Sequence, residues 1–352
     1  MRFLTSSTWF AASLLALTAS GVAETKSLHR QQSQVLGVKT GSNFSLADGQ
    51  CDTKGNIFVT VWDQVQEEPA DRPVLMFDSS GALKNKFASS RKELGLSRYE
   101  DHFEPTALLS DGGVARLFWS KDALSIARFS PDGKLESRTA LDPPAILPYQ
   151  FLVFPSGEML VSGLEQNHSR RFLGAHKSFT AIYDARGHLL KRFSFAEDTE
   201  IDSAAEAGDS RYTFASIAGN RGISSGKARL GDDGNAYLMR RTSPATVYVI
   251  SADGELVRTL QIEPANFGQM PSNMQIADGR IAMEFRLRCS GNTCEGENFT
   301  IADAATGQTI ADYDDSNVQG DFACYSAKPE RFTFLTETEN GRKALMVQAA
   351  TK

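Results

Sequence analysis

Six polar side chains, Asp48, Glu104, Gln150, Lys227, Asn273 and Asp321, each stand a similar short distance before a turn-forming stretch. If the segments carrying them are equivalent strands of a repeated unit, the six converge. Carboxylate and amide oxygens gathered that way suit a hard cation, Ca²⁺ or another divalent ion, with Asp48, Glu104, Asn273 and Asp321 as its ligands. Such a cation polarises a carbonyl and activates water, which would give Glu104, Asn273 and Asp321 the catalytic places in a hydrolase. Lys227 opposes this, because it puts a positive charge in the same ring. Polar groups also line a channel simply because channels hold water.

A second group lies in loop-like stretches. Glu100-Asp101-His102, the run Gln166-Asn167-His168-Ser169-Arg170-Arg171, and His176 offer imidazole and guanidinium donors. Here His102, His168, Arg171 and His176 are expected to contact a bound protein, peptide, glycan or small molecule, with no cofactor. The chain has no G-x-S-x-G elbow, no H-E-x-x-H and no phosphate-binding loop, and nothing nominates the serine of a catalytic triad. Binding is therefore the leading expectation and hydrolysis the alternative.

What must position these residues is a repeat. Apolar strands precede turns ending at Gly81, Gly133, Gly187, Gly254 and Gly307, and a further strand follows each, as in VLMFDSSGALKNKF and FTAIYDARGHLLKRF. Upstream of each lies a weaker pair whose turns carry Gly55, Gly113, Gly157, Gly234 and Gly279. Asp, Asn, Ser and Gly supply the left-handed and Asx conformations of tight hairpins. Each unit reads as a four-stranded antiparallel sheet, the pattern of a propeller blade. The blades are placed at residues 44–87, 104–141, 147–195, 225–262, 270–314 and 321–349. The last has three strands, so the apolar segment 34–38 is expected to supply the fourth and close the ring. Residues 196–224 are long enough to hide a seventh sheet. Chain direction puts the short turns on one face and the long connections, including 88–103, 165–177 and 196–224, on the other, where binding is expected.

The pattern D-x-x-G-N-I-x-V, followed by F-D-x-x-G-x-L-x-x-x-F, is complete within residues 52–87 and resembles the NHL-type repeat. The resemblance implies a six-bladed all-β propeller and, for most such proteins, binding of proteins, peptides or other ligands. More distantly the chain is similar to gluconolactonase-like propellers, whose acidic and Asn ligands hold a divalent metal in the channel. That likeness implies a lactonase-type hydrolase at the channel residues named above, but the Glu and Asn-Gly contexts typical of that family are missing.

Composition narrows the compartment and the partners. The first residues, MRFLTSSTWFAASLLALTASGVA, read as a secretory leader over residues 1–23, leaving one domain over 24–352. Nothing later is long and apolar enough to cross a bilayer. A secreted or periplasmic protein with four cysteines is expected to form two disulfides. Cys289 and Cys294 flank a turn-rich loop, which leaves Cys51 to pair with Cys324 across the seam of the ring. The net charge of −6, with no basic stripe, disfavours nucleic acid. A monomer is expected.

Overall fold

The computed structural model describes residues 25–36, 44–63, 73–96, 103–120, 123–142, 146–165, 177–199, 226–287, 297–314, 320–337 and 343–350. An outer N-terminal strand, β1 (Thr25–Val35), comes first. The first four-stranded sheet holds β2 (Phe44–Cys51), β3 (Ile57–Asp63), β4 (Val74–Phe77) and β5 (Leu83–Phe87), and a one-turn helix α1 (Arg91–Leu94) follows it. The second holds β6 (Phe103–Leu108), β7 (Val114–Ser120), β8 (Ala123–Phe129) and β9 (Leu135–Ala140). The third holds β10 (Ile146–Val153), β11 (Met159–Glu165), β12 (Ser178–Tyr183) and β13 (Leu189–Phe193). The fourth holds β14 (Ala228–Leu230), β15 (Ala236–Arg240), β16 (Ala245–Ile250) and β17 (Leu256–Ile262). Then come β18 (Gln269–Ala277), β19 (Arg280–Leu287), β20 (Glu297–Asp303), β21 (Thr309–Asp314), β22 (Asp321–Ala327), β23 (Glu330–Glu337) and β24 (Lys343–Ala350).

The all-β propeller of antiparallel four-stranded blades expected from the repeat is what forms, with one correction. Among the described residues the sheets number five, not six. The fifth has eight strands in the order β18-β19-β20-β21-β1-β24-β23-β22. The cause is β1, which pairs antiparallel with β24 from Leu28↔Ala350 to Val35↔Ala344 and parallel with β21 at Thr25↔Asp312 to Ser27↔Asp314. The closing strand is also displaced from the expected 34–38 to Thr25–Val35. Of the side chains described on it, Leu28 is buried while Ser27 and Val35 are exposed, the mixed burial of an outer strand covered on one face.

Middle strands explain the apolar runs. β12 and β16 are buried along their whole length because each is covered on both faces by adjoining sheets. Between consecutive sheets lie separate apolar layers. Leu117, Phe151 and Tyr183 fill one, and Tyr237, Val249 and Met283 another. The two halves of the eight-stranded sheet also pack face to face, through Phe299, Phe322, Phe332 and Phe334. The rings of Phe299 and Phe322 meet edge-on at 4.9 Å.

The turn residues have two jobs. Aspartates brace the hairpins from within: Asp52 Oδ1 accepts the N–H groups of Lys54 and Asn56, and Asp184 Oδ1 those of Arg186 and His188. Glycines dock one sheet on the next. A Cβ on Gly187 would sit 2.1 Å from the carbonyl oxygen of Ala140, on the outer strand of the preceding sheet. The two segments are hydrogen-bonded there, with Asp142 N donating to Gly187 O at 2.9 Å. Gly133 lies likewise 2.6 Å from Lys86 O, and Gly307 3.1 Å from Gln261 O.

The seam between β2 and β22 is also a close approach. Gly49 would place a Cβ 2.5 Å from that of Ala323, and the Cys51–Cys324 disulfide stands beside it with a Cα–Cα distance of 5.6 Å. The expected pairing of these two cysteines is therefore present; Cys289 and Cys294 lie outside the described residues. Because the bridge spans 273 positions, its entropic effect on the unfolded chain is large.

Two stability measurements follow. Replacing Cys51 and Cys324 together by serine is expected to lower unfolding stability by up to about 5 kcal/mol in denaturant titrations; an unchanged midpoint would contradict the seam. Gly234 has left-handed φ but open space around it, so Gly234→Ala should cost only about 1–2 kcal/mol of backbone strain. Gly187→Ala adds the clash with Ala140 and should cost a further ~1–3 kcal/mol.

Candidate functional site

The innermost strands β2, β6, β10, β14, β18 and β22 ring a central channel, and each presents a backbone edge with no further strand among the described residues to pair with. Amide side chains satisfy part of that edge. Gln50 Nε2 donates to Thr106 O at 2.9 Å, Gln275 Nε2 to Gly49 O at 3.2 Å, and Asn273 Nδ2 to Phe322 O at 2.6 Å. Unsatisfied buried carbonyls are costly, so these amides first serve the ring itself.

Bulges aim the side chains. Register shifts occur at Ala47/Gln50, Phe103/Thr106, Pro148/Gln150, Pro271/Asn273 and Phe322/Cys324, at comparable places on five inner strands. A bulge leaves a residue out of the ladder and re-aims it. The first of these leaves Asp48 with φ of +51°, a conformation that Asp tolerates better than most residues. Its Oδ1 accepts a hydrogen bond from Lys227 Nζ at 2.7 Å. β2 and β14 are not neighbours in the ring, so this ion pair crosses the channel. The ammonium beside it holds the Asp48 carboxyl below the usual carboxylate range, against the opposing effect of desolvation. The Asp48 side chain is 50 % exposed to the channel, so the pair contributes under about 1 kcal/mol to stability.

Two strand positions nearer the short-turn mouth lies Arg229. Desolvation pulls its guanidinium down to about 10, with Asp48 pulling the other way. Around it the channel opens into two adjoining hollows of about 640 and 510 Å³, which share Cys51, Asp52, Thr53, Leu230, Asp232, Gln275 and Ile276. Arg229 lines the smaller one together with Leu108, Leu109, Phe151 and Pro155. Both hollows are rimmed by short turns: Asp52–Lys54, Gly231–Asp232 and Asp278 belong to that face.

The sequence-selected residues are placed as follows. Asp48 and Lys227 are brought together, and Gln150 is buried on β10. Asn273 has both ends of its amide engaged by backbone, since its Oδ1 accepts from Met274 N at 2.9 Å. Asp321 is exposed at the start of β22; Glu104 lies on β6, with its side chain outside the description. His102, His168, Arg171 and His176 all lie outside the described residues. Arg229 was missed, although it follows Lys227 at the two-residue spacing that puts both on one side of a strand.

A buried network on the fourth sheet is structural. Arg240 donates to Ser162 Oγ at 3.2 Å, Thr180 Oγ1 at 3.1 Å and Asp198 Oδ1 at 3.4 Å, and lies over the ring of Phe195. It anchors residues 195–198 to the third and fourth sheets.

No protein-family model matches the chain, and no curated protein matches it. Solved structures do. A member of the DUF4221 family from Bacteroides vulgatus is 7 % identical, with a TM-score of 0.59, covering 93 % of this chain and 99 % of its own. A PQQ-bound aldose sugar dehydrogenase from Streptomyces coelicolor is 11 % identical, with a TM-score of 0.49, covering 94 % of this chain and 100 % of its own. TolB from Acinetobacter baumannii is 14 % identical, with a TM-score of 0.45, covering 87 % and 80 %. At these identities the first likeness is one of fold, and the other two add nothing to it. What the first likeness supports is a β-propeller; it does not show the NHL type.

Lys227 should control how Asp48 titrates. The Asp48 carboxyl is depressed in the folded chain, so its stabilising effect is present above the unfolded value of about 3.9 and lost as pH falls through the folded one. In Lys227→Gln, desolvation is left without its main opponent, and the Asp48 carboxyl is expected to move upward. A carboxyl-carbon NMR titration of both proteins checks this; the same Asp48 midpoint in each would contradict the channel-spanning pair.

Proposed function

We propose that this chain is an exported six-bladed propeller that works as a binding module for a small ligand, seated in the short-turn mouth of its channel. The observation that carries the reading is the pair of adjoining hollows at that mouth, ringed by inner strands from all around the channel. The ion pair of Asp48 and Lys227 crosses the channel farther in, beyond the residues that line the hollows. A rigid concave site with apolar walls and a few polar groups is the usual form of a small-molecule pocket.

Six blades is our count because the eight-stranded sheet is folded on itself. Its halves, β18–β21 and β22-β23-β24-β1, face each other across an aromatic layer, as neighbouring blades do. The leader-like residues 1–23 and the Cys51–Cys324 bridge favour an oxidising compartment outside the cytoplasm. No helix among the described residues is long and apolar enough to cross a membrane. Hydrolysis assisted by Ca²⁺ or another divalent ion through Glu104, Asn273 and Asp321 is the weaker reading. Asn273 is spent on backbone, and one oxygen of Asp48 on an ammonium. Binding through His102, His168, Arg171 and His176 would use the opposite face.

The two faces can be separated experimentally. Small-molecule binders are first found by their effect on the melting midpoint of the mature protein, with millimolar Ca²⁺ as a parallel condition. Thr53→Trp and Ser110→Trp place indoles on the exposed rim of the mouth, so both should keep the unliganded midpoint and abolish the shifts. Shifts that survive the rim changes but vanish in His168→Ala or Arg171→Ala would move the site to the long-loop face. A midpoint raised by Ca²⁺ alone, and lost in Glu104→Gln, would favour the metal reading instead.

A further inference from the structure

We propose that the smaller hollow selects an amphipathic carboxylate, a molecule with an apolar body and one anionic head that pairs with Arg229. This rests on the short-turn mouth being the ligand seat and adds the chemistry of what sits there. Arg229 makes one hydrogen bond among the described residues, from Nη1 to Ala228 O at 3.0 Å, and its Nε is sealed from solvent without a partner. A guanidinium has five N–H donors in a planar fork matched to a carboxylate. Most of that capacity is therefore unused in a hollow of about 510 Å³.

Among the described residues the nearby charges leave a positive balance: Asp48 is the one carboxylate acting on Arg229, and its Oδ1 is already held by Lys227, so Lys227 and Arg229 share a single anion. At the rim, Asp52 spends its oxygens on Lys54 N, Asn56 N and Asn56 Nδ2, and Asp232 accepts from the backbone N–H of Asp278. These acids brace turns and remain a modest repulsive collar, which disfavours ligands carrying several negative charges. The side of the hollow formed by the second and third sheets is apolar, with Leu108, Leu109, Phe151 and Pro155. An apolar wall opposite a lone guanidinium fits a monocarboxylic acid with a hydrocarbon or aromatic tail. Gln50 and Gln275 each use one Nε2 hydrogen on backbone and keep a second N–H donor and the Oε1 acceptor.

Calorimetry with octanoate, 4-phenylbutyrate and their amides tests this on the full mature chain. At least one acid is expected to bind about tenfold or more tightly than its amide, the difference a charge-assisted pair supplies. Arg229→Gln should remove that preference, and Arg229→Lys should keep part of it. Asp48→Asn works in the opposite direction: it removes the competing anion and should tighten acid binding severalfold, so the idea does not depend on a variant that loses a cation. Equal binding of acid and amide, with both lost in Thr53→Trp, would overturn the carboxylate inference and leave the mouth as the seat. Acid preference unchanged in Arg229→Gln would also overturn it. No binding of any of the four probes would overturn the carboxylate inference too. In that case other binders that lose affinity in Thr53→Trp would still support the mouth, and their absence would remove it.

Discussion

A circle of sheets is stable only if its first and last members are joined, because an open circle leaves a long hydrogen-bonding edge and a wide apolar face in water. In this chain β1 does the joining. It completes the sheet of β22, β23 and β24 and also reaches β21 through three parallel pairs. The geometry allows both at once. β21 and β1 each run opposite to their own innermost strands, so the two outer strands point the same way. The disulfide and the Gly49–Ala323 contact then lock the inner edge of the same seam.

The other seams use a different device. Where Gly133, Gly187 and Gly307 turn the chain, the backbone of one sheet lies against the outer strand of the one before. The glycine is needed twice over, for its left-handed φ and for the missing Cβ. The β22-β23-β24-β1 half of the eight-stranded sheet has no such turn, because its outer strand β1 does not follow β24 through a hairpin. The parallel pairing of Thr25–Ser27 with Asp312–Asp314 occupies the corresponding place. Both contacts act at the outer rim and hold the sheets at a fixed angle, which in turn fixes the width of the channel.

Much of this could be read in the residues. Repeated glycine turns mark hairpins whatever the packing, and Cys51 and Cys324 pair because the repeats bring the first and last inner strands together. Asp48 and Lys227 were correctly sent to the channel, but their bond to each other was not legible. It depends on a bulge, and a bulge leaves no mark in a periodic pattern. The closing strand was misplaced because apolar character was taken as its signal, whereas LKNKF, LESRTA and LLKRF are the true likeness of an outer strand. Arg229 carries no mark in the sequence that separates it from a surface charge; its burial gives it significance.

The channel inherits its properties from closure. Asp48 and Lys227 pair across it from opposite sides, its inner edges are stitched by Gln50, Asn273 and Gln275, and its mouth is rimmed by braced turns. Opening the seam would separate β2 from β22 and take the hollows apart. Hydrogen exchange of the protein, resolved to peptides covering Leu28–Val35, tests this most directly. Amides of β1 should be protected like those of β24 and should exchange with β22 and β23 as one cooperative unit. Exchange of β1 within seconds, while the remaining sheets stay protected, would contradict closure by this strand and with it the account of the channel.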